Sequence, residues 1–447
     1  MFLRRSRFIY RLGVELALKY RFALLFGFVL GLSGSFALLR TAPLLQRRFL
    51  TPTQRVGIVG DFTPTSLPLA VQTLISQGLT TAAVDGSAAP GLATSWEATD
   101  SGKTYVFHLR ADAYWHNGKT VEAADVNYNI RDVTVRPMDK HTLAITLREP
   151  YSPFPTLVAK PLFKAGLVGF GPYRVDAIRL KGDTVQYLKL LPVDRTVALV
   201  KEFRFFRTQA QAKVAYQRGD IDFLEDLTTS NQLTNWGKTT TEQTTHYDRV
   251  VGLFFNMNNQ RLSERSFRQG LSYGVPDLTE EAAYSPFPKN SWAETHTVKK
   301  YLFDEAQAKK LLKNTSSASA SAELILSTFL PLSSVAETIA KNWTLLGVPT
   351  TTKIMNDSSE GYQVLLTSLT LPPDPDQYLL WHSTQKDTNL TGYANVKIDK
   401  LLEDGRHESD TQKRKKIYAD FARRLTDDTP VRFLFYPRTY TIKRQDR

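Results

Sequence analysis

The chain of 447 residues exceeds the ~250–300 residues at which one hydrophobic core usually splits, and its 42% hydrophobic and 23% charged residues exclude a largely disordered protein. Net charge is +13, of which residues 1–21 hold +5 and Arg40, Arg47 and Arg48 a further +3; a nucleic-acid binder concentrates positive charge on its folded domain, so nucleic acid is excluded as a partner. Cysteine is absent, which removes disulfides, thiolate metal sites, cysteine nucleophiles and a lipid anchor built on cysteine.

Phe22–Leu39 is an 18-residue stretch without charge, bounded by Arg21 and Arg40. As a helix at ~1.5 Å per residue it spans ~27 Å, close to the ~30 Å hydrocarbon core of a bilayer. Six basic residues precede it and three follow, which keeps the tail 1–21 cytoplasmic and directs the remainder outward. Ser35-Phe36-Ala37 resembles a signal-peptidase site but lies inside the apolar run, so an uncleaved signal anchor is expected. Residues 40–54 read as a linker. Arg55–Gly60 reads as a strand, followed by a turn through Pro64 and Pro68.

The turn Asp100-Ser101-Gly102 leads into Lys103–Arg110, where Tyr105, Phe107 and Leu109 alternate with Val106, His108 and Arg110 as in a half-buried strand. Thr142–Arg148 repeats the pattern with Leu143, Ile145 and Leu147 inward. Gln209–Arg218 reads as a helix stopped by Gly219, and Ile221–Leu227 as the strand after it. The low-complexity segment Thr315–Ala322 reads as a surface loop, and Gly361–Leu371 as an apolar strand. Thr411 is placed to cap a helix whose inner stripe is Ile417, Phe421 and Leu425. Strands and helices mix throughout, which predicts α/β lobes.

Catalytic and metal patterns do not survive inspection of their context. Gly270-Leu271-Ser272-Tyr273-Gly274 fits G-x-S-x-G, but Glu264–Leu271 before it reads as a helix with Phe267 and Leu271 inward, where that motif needs a strand. The seven histidines show no H-x₃₋₅-H spacing, so no metal site is expected. Asp220, Asp222, Glu225 and Asp226 lack the glycine and terminal glutamate of a calcium loop and read as a solvated strand edge. No Walker A or dinucleotide glycine pattern occurs, so no cofactor is expected and any ATP is hydrolysed by a partner.

Pro90–Trp96 with Ser101–Arg110, Tyr114–Gly118 with Ala123–Val126, and Gly169–Tyr173 form an ordered series of short blocks. Arg218–Asp222, Phe255-Asn256 with Arg268–Tyr273, Tyr301–Asp304 with Ala308–Leu312, and Asp374–Tyr378 with Trp381, Asn389 and Tyr393 continue it. In this order, over about residues 55–436, the chain resembles the family 5 extracellular solute-binding proteins, the dipeptide- and oligopeptide-binding group of ABC importers. The resemblance implies a two-lobed periplasmic-binding-protein-like type II α/β fold after the one transmembrane helix. Lobe I would comprise residues 55–255, with 431–443 returning to it, and lobe II residues 256–430. Only 25 residues separate Asp125 from Tyr151, where the family carries a longer insert, so a reduced accessory subdomain is expected.

Function follows from the same resemblance: no enzyme, but hinge closure on a peptide-like or other small solute, then docking on ABC permease subunits. The binding domain would be extracytoplasmic and held to the cell membrane by residues 22–39. Phe62, Trp292, Ser368, Leu371, Tyr378, Trp381 and Arg268 are the implied ligand-binding residues; for the aromatic ones lobe packing is the alternative, and for Arg268 a salt bridge. Trp96 and Trp115 fall in framework blocks. The family's peptide binders carry an acid, for the ligand's free ammonium, where this chain has Leu371, which argues against a free dipeptide. A ligand-sensing receptor subunit and an extracytoplasmic hydrolase are the alternative functions.

Overall fold

The computed structural model describes residues 19–22, 26–27, 30–35, 52–194, 196–197, 199–229, 239–313, 323–357 and 360–445. Half of the expected membrane helix Phe22–Leu39 and all of the Thr315–Ala322 loop fall outside these residues. Among the described residues no helix is long and apolar enough to cross a membrane.

The first lobe is built on a seven-stranded sheet. Its order is Thr239–Thr245, Arg438–Arg444, Phe223–Leu227, Thr53–Val59, Val200–Phe206, Thr184–Pro192 and Tyr173–Lys181. Thr53–Val59 runs parallel to both of its neighbours. Parallel strands need a crossover, and the helix Gln209–Arg218 carries the chain from Val200–Phe206 to Phe223–Leu227. Thr208 caps that helix by accepting from the Gln211 amide, and Gly219 ends it at φ 77°, a conformation that costs glycine little. Val56, Ile75, Leu188, Leu190, Phe203 and Phe205 form the core beneath. A four-stranded antiparallel sheet, Ala93–Thr99, Thr104–Leu109, Thr142–Leu147 and Val133–Pro137, extends this lobe, and Tyr105, Phe107, Leu109, Leu143, Ile145 and Leu147 are buried on it as the alternation predicts. The short hairpin Val133–Pro137/Thr142–Leu147 occupies the abbreviated stretch between Asp125 and Tyr151.

Asp222 is not on a solvated edge. Phe223–Leu227 is interior to the sheet, and Arg55 grips the Asp222 carboxylate with Nε and Nη2, both at 2.7 Å. An apolar strand pattern carries no information about which cation will lie beside its first residue.

The second lobe holds a five-stranded sheet ordered Thr350–Ile354, Leu324–Thr328, Val364–Thr370, Arg249–Phe255 and Val431–Phe435. Arg249–Phe255 is covered on both faces: Val251, Leu253 and Phe255 join one core and Val250 and Phe254 the other. That is why this strand is almost continuously apolar. Helices Arg265–Tyr273 and Ser333–Leu345 cover the first face, with Trp343 at 0% exposure donating its Nε1–H to the Leu271 carbonyl at 2.9 Å. Helices Val396–His407 and Thr411–Asp428 belong to the second face. The latter is capped by Asp410, not Thr411, and its buried stripe is Arg414, Tyr418, Phe421 and Leu425 in place of the Ile417 register.

The chain passes between the lobes twice among the described residues, at 246–248 and at 436–437. Arg249–Phe255 and Val431–Phe435 therefore both belong to the second lobe, which corrects the expected boundaries at 255 and 431. Sheet pairing decides the point: Val431 is registered on Phe254, whereas Arg438 is registered on Thr245. The two passages are neighbours, joined by the His246 amide to the Pro437 carbonyl at 2.9 Å and by His246 Nε2 and Thr439 Oγ1 at 2.6 Å. Trp343→Phe removes a buried donor while keeping an aromatic ring, so it lowers unfolding stability by about 1–3 kcal/mol, read as a lower urea midpoint at unchanged slope.

Candidate functional site

Among the described residues away from the crossing segments, two parts of the first lobe touch the second. One is the tip of the hairpin Thr80–Ala82/Ala88–Pro90. There the Asp85 carbonyl accepts from the Trp292 amide at 2.9 Å, and Gly86, at φ +82°, lies so close to Pro373 that a Cβ would stand 2.0 Å from its carbonyl oxygen. The other is the Tyr151-Ser152 loop. The Ser152 amide donates to the Arg406 carbonyl at 2.7 Å, its hydroxyl donates to the Glu408 carbonyl at 2.5 Å, and the Tyr151 hydroxyl donates to Asp376 Oδ2 at 3.2 Å.

Between these contacts lies an interlobe cavity of about 400 Å³. Trp96, Tyr105 and Trp292 give it aromatic walls; Ser87, Ser152, Thr156, Ser409 and Thr411 supply hydroxyls. Its ionised groups are Asp85, Asp374 and Arg414. The Asp85 carboxylate accepts from the Ser87 hydroxyl and amide, and these bonds hold its pKa below the usual carboxylate range. Burial pushes the Tyr105 phenol up to about 12, so it stays a neutral donor.

Arg414 and Asp374 neutralise each other. Arg414 donates from Nη1 and Nη2 to the two carboxylate oxygens at 3.1 and 2.7 Å, from Nε to the Gly405 carbonyl at 2.9 Å, and lies 5.2 Å from the Trp292 ring centre. Burial alone would lower the guanidinium pKa; Asp374 beside it reverses the direction and holds it above its ordinary value. The cavity is thus left with one uncompensated charge, that of Asp85, and an aromatic and hydroxyl lining. Such a lining suits a small neutral or cationic solute.

Asp376, two residues on, is bound by Arg406 Nε at 2.9 Å. Burial raises the Asp376 pKa, and Arg406 only partly offsets this. The Arg406 guanidinium stands 5.2 Å from the Tyr151 ring of the first lobe and 3.9 Å from the Tyr378 ring of the second.

The residues put forward from sequence separate into groups. Trp292 lines the cavity. Tyr378 stacks at 4.0 Å on His382 and under Arg406, one step from the cavity. Ser368 is exposed on its strand, and Phe62 packs edge-on against Phe205 in the first lobe; neither lines this cavity. Leu371 and Trp381, each 2% exposed, belong to the second-lobe core, where Trp381 donates to Gln377 Oε1 and stacks on Phe254. Arg268 does not line this cavity. It is 2% exposed and donates to the carbonyls of Leu262, Ser263, Asp428 and Thr429, and burial lowers its pKa to about 10. Ser272 is fully buried in the last turn of the helix Arg265–Tyr273 with its hydroxyl donating to the Arg268 carbonyl at 2.8 Å, an arrangement unlike an exposed nucleophile.

Sequence reasoning missed Arg406, Arg414, Tyr151 and Asp85. Arg414 did carry a signal: it stands four residues before Tyr418 on a buried helical stripe, and an arginine there needs a buried partner. Among the described residues no group of three or more His, Asp or Glu side chains is placed to hold a metal. Arg414→Met leaves Asp374 buried without a counter-charge and lowers stability by about 3–5 kcal/mol in chemical denaturation, whereas a weakly coupled pair would lose less than about 1 kcal/mol.

Comparison with known proteins agrees with this architecture. The oligopeptide-binding protein AppA of Bacillus subtilis is 26% identical over 272 residues, which is 52% of this chain and 49% of that protein. The probable D,D-dipeptide-binding periplasmic protein DdpA of Escherichia coli is 22% identical over 77% of this chain and 78% of its own length. NikZ of Campylobacter jejuni, solved with Ni(L-His), superposes with a TM-score of 0.72 at 21% identity, covering 88% of this chain and 94% of that one. Substrate-binding protein CtaP of Listeria monocytogenes superposes with a TM-score of 0.74, at the same identity and coverage. The profile of the bacterial extracellular solute-binding proteins, family 5 Middle, matches residues 87–390. Members of that group are the binding components of ABC transporters and not enzymes; this chain belongs to the bacterial extracellular solute-binding proteins, family 5.

Proposed function

We propose that this chain captures a small solute between its lobes, outside the cell, and presents it to the permease subunits of an ABC importer. The observation that carries the reading is the interlobe cavity lined from both lobes. Two neighbouring extended passages connect the sheets there, a geometry suited to hinge motion. A solute that bonds to both lobes only when they are together favours the closed form by that difference in affinity.

Peptide-like solutes are the first class to test, since relatives are named for peptides; the nickel–histidine complex of NikZ adds metal chelates. The lone uncompensated Asp85 in the cavity supports a solute that is neutral or cationic. Residues 22–39 serve as an uncleaved anchor with the binding domain extracytoplasmic. Such a tether raises the local concentration of the binding protein at its transporter.

In a thermal-shift screen of the full chain against peptides, sugars and metal chelates, at least one class raises the melting temperature. No shift with any class would overturn solute capture. With the responding class, Trp292→Ala weakens binding roughly tenfold, the order expected for losing one aromatic wall; unchanged affinity would place the site elsewhere. Deleting residues 1–39 moves the protein from the membrane fraction to the soluble fraction, and retention in the membrane would remove the anchor from the account.

A further inference from the structure

We infer that Arg406 is the latch of the lobe seam: held by Asp376 and Tyr378 of the second lobe, it engages Tyr151 of the first and sets the balance between closed and open forms. This rests on the reading of the chain as a two-lobed solute clamp, and it adds the residues that control closure.

The argument starts from what Arg406 touches. Its Nε bonds Asp376 Oδ2 at 2.9 Å, and its guanidinium is 3.9 Å from the Tyr378 ring, so the second lobe alone fixes its position. The Tyr151 ring, at 5.2 Å from the guanidinium, comes from the other lobe and adds a second ring to its surroundings. The same tyrosine donates its hydroxyl to Asp376 at 3.2 Å, so both members of the ion pair are shared across the seam. A guanidinium that meets rings from both lobes gains part of its cation–ring attraction only when the lobes are together. The Ser152 bonds to the carbonyls of Arg406 and Glu408 lie beside it and form only when the lobes meet.

The other finger contact opposes misalignment without adding charge. Gly86 meets Pro373 with no room for a side chain, and Asp85 bonds Trp292 through backbone atoms. The cavity lies between the two contacts, so closing both encloses it. Asp376 and Arg406 are not among its lining residues. They are positioning residues: their loss acts on the fraction of closed molecules, and so lowers apparent affinity in proportion, without removing a group that faces the solute.

The chain has no cysteine, so a Met138→Cys/Val396→Cys pair, one exposed site per lobe, takes two spin labels cleanly. Distance distributions are measured by double electron–electron resonance on the full chain without solute. The labelled parent gives a dominant short distance. Arg406→Met adds a longer-distance population; Tyr151→Phe, which keeps the ring and loses the hydroxyl, adds a smaller one. Gly86→Ala, which places a methyl against the Pro373 carbonyl only in the closed form, adds one by an independent route. Distances unchanged in all three variants, each with parent-like circular dichroism, would overturn the latch. A longer distance in Gly86→Ala alone would also overturn it, since closure would then answer to sterics and not to Arg406. Because no solute is present, a failed solute screen overturns capture while these distances still decide the latch.

Discussion

A guanidinium withdrawn from water has to find an anion or a full set of acceptors, and Arg414 meets that demand by drawing together segments far apart in the chain. Its Nη groups fix the Asp374 side chain, its Nε holds the end of the neighbouring helix at Gly405, and its face lies against Trp292. Desolvating two charges costs several kcal/mol, which the bidentate geometry and the extra carbonyl bond offset. Gly405 is part of the arrangement, because a Cβ there would come 2.7 Å from the Tyr418 ring and push the two helices apart. With Asp374 anchored, the Asp-Pro-Asp turn presents Asp376 toward the seam, and the interlobe cavity acquires its second-lobe wall.

Two other buried arginines take backbone carbonyls in place of an anion, although Arg432 leaves its Nε without a partner. Arg268 and Arg432 donate chiefly to backbone carbonyls, and burial lowers both pKa values to about 10. Arg268 thereby stitches the helix Arg265–Tyr273 to the Asp428-Thr429 helix end, and Arg432 stitches the strand Val431–Phe435 to Tyr301. Both roles are architectural. Of the three, only Arg414 lines the interlobe cavity, and that difference separates framework from candidate site.

The lobes are each held by large sheets and well-filled cores, whereas little joins them: two adjacent extended passages and two small fingers. Local stability is not uniform in such a molecule, and motion concentrates where buried contacts are few. Among the described residues the interlobe contacts are largely hydrogen bonds and ring–cation approaches, with no shared apolar core. Such contacts can form and break without unfolding either lobe, which suits a protein that has to hold a solute and then release it.

The periodic elements were legible from residue order alone. Tyr105, Phe107 and Leu109 face inward because a strand alternates, and Gln209–Arg218 ends at Gly219 because glycine adopts the left-handed cap. The ordered motifs likewise identified the family over most of the chain, and Phe267 with Leu271 marked a helix where a nucleophile elbow would need a strand. Tertiary structure alone decided the rest. Ile417 and Tyr418 both offer an apolar stripe, and only packing against Phe287 and Trp292 selects Tyr418. Leu371 and Trp381 sit in motif segments near the seam, yet core contacts turn them away from it. The carboxylate partners of Arg406 and Arg414 lie 30 and 40 residues away, and Tyr151 lies on the other lobe. Local propensity has no term for contacts at that separation, so residue order specified the elements and their family, while burial and charge pairing in the folded chain specified the seam.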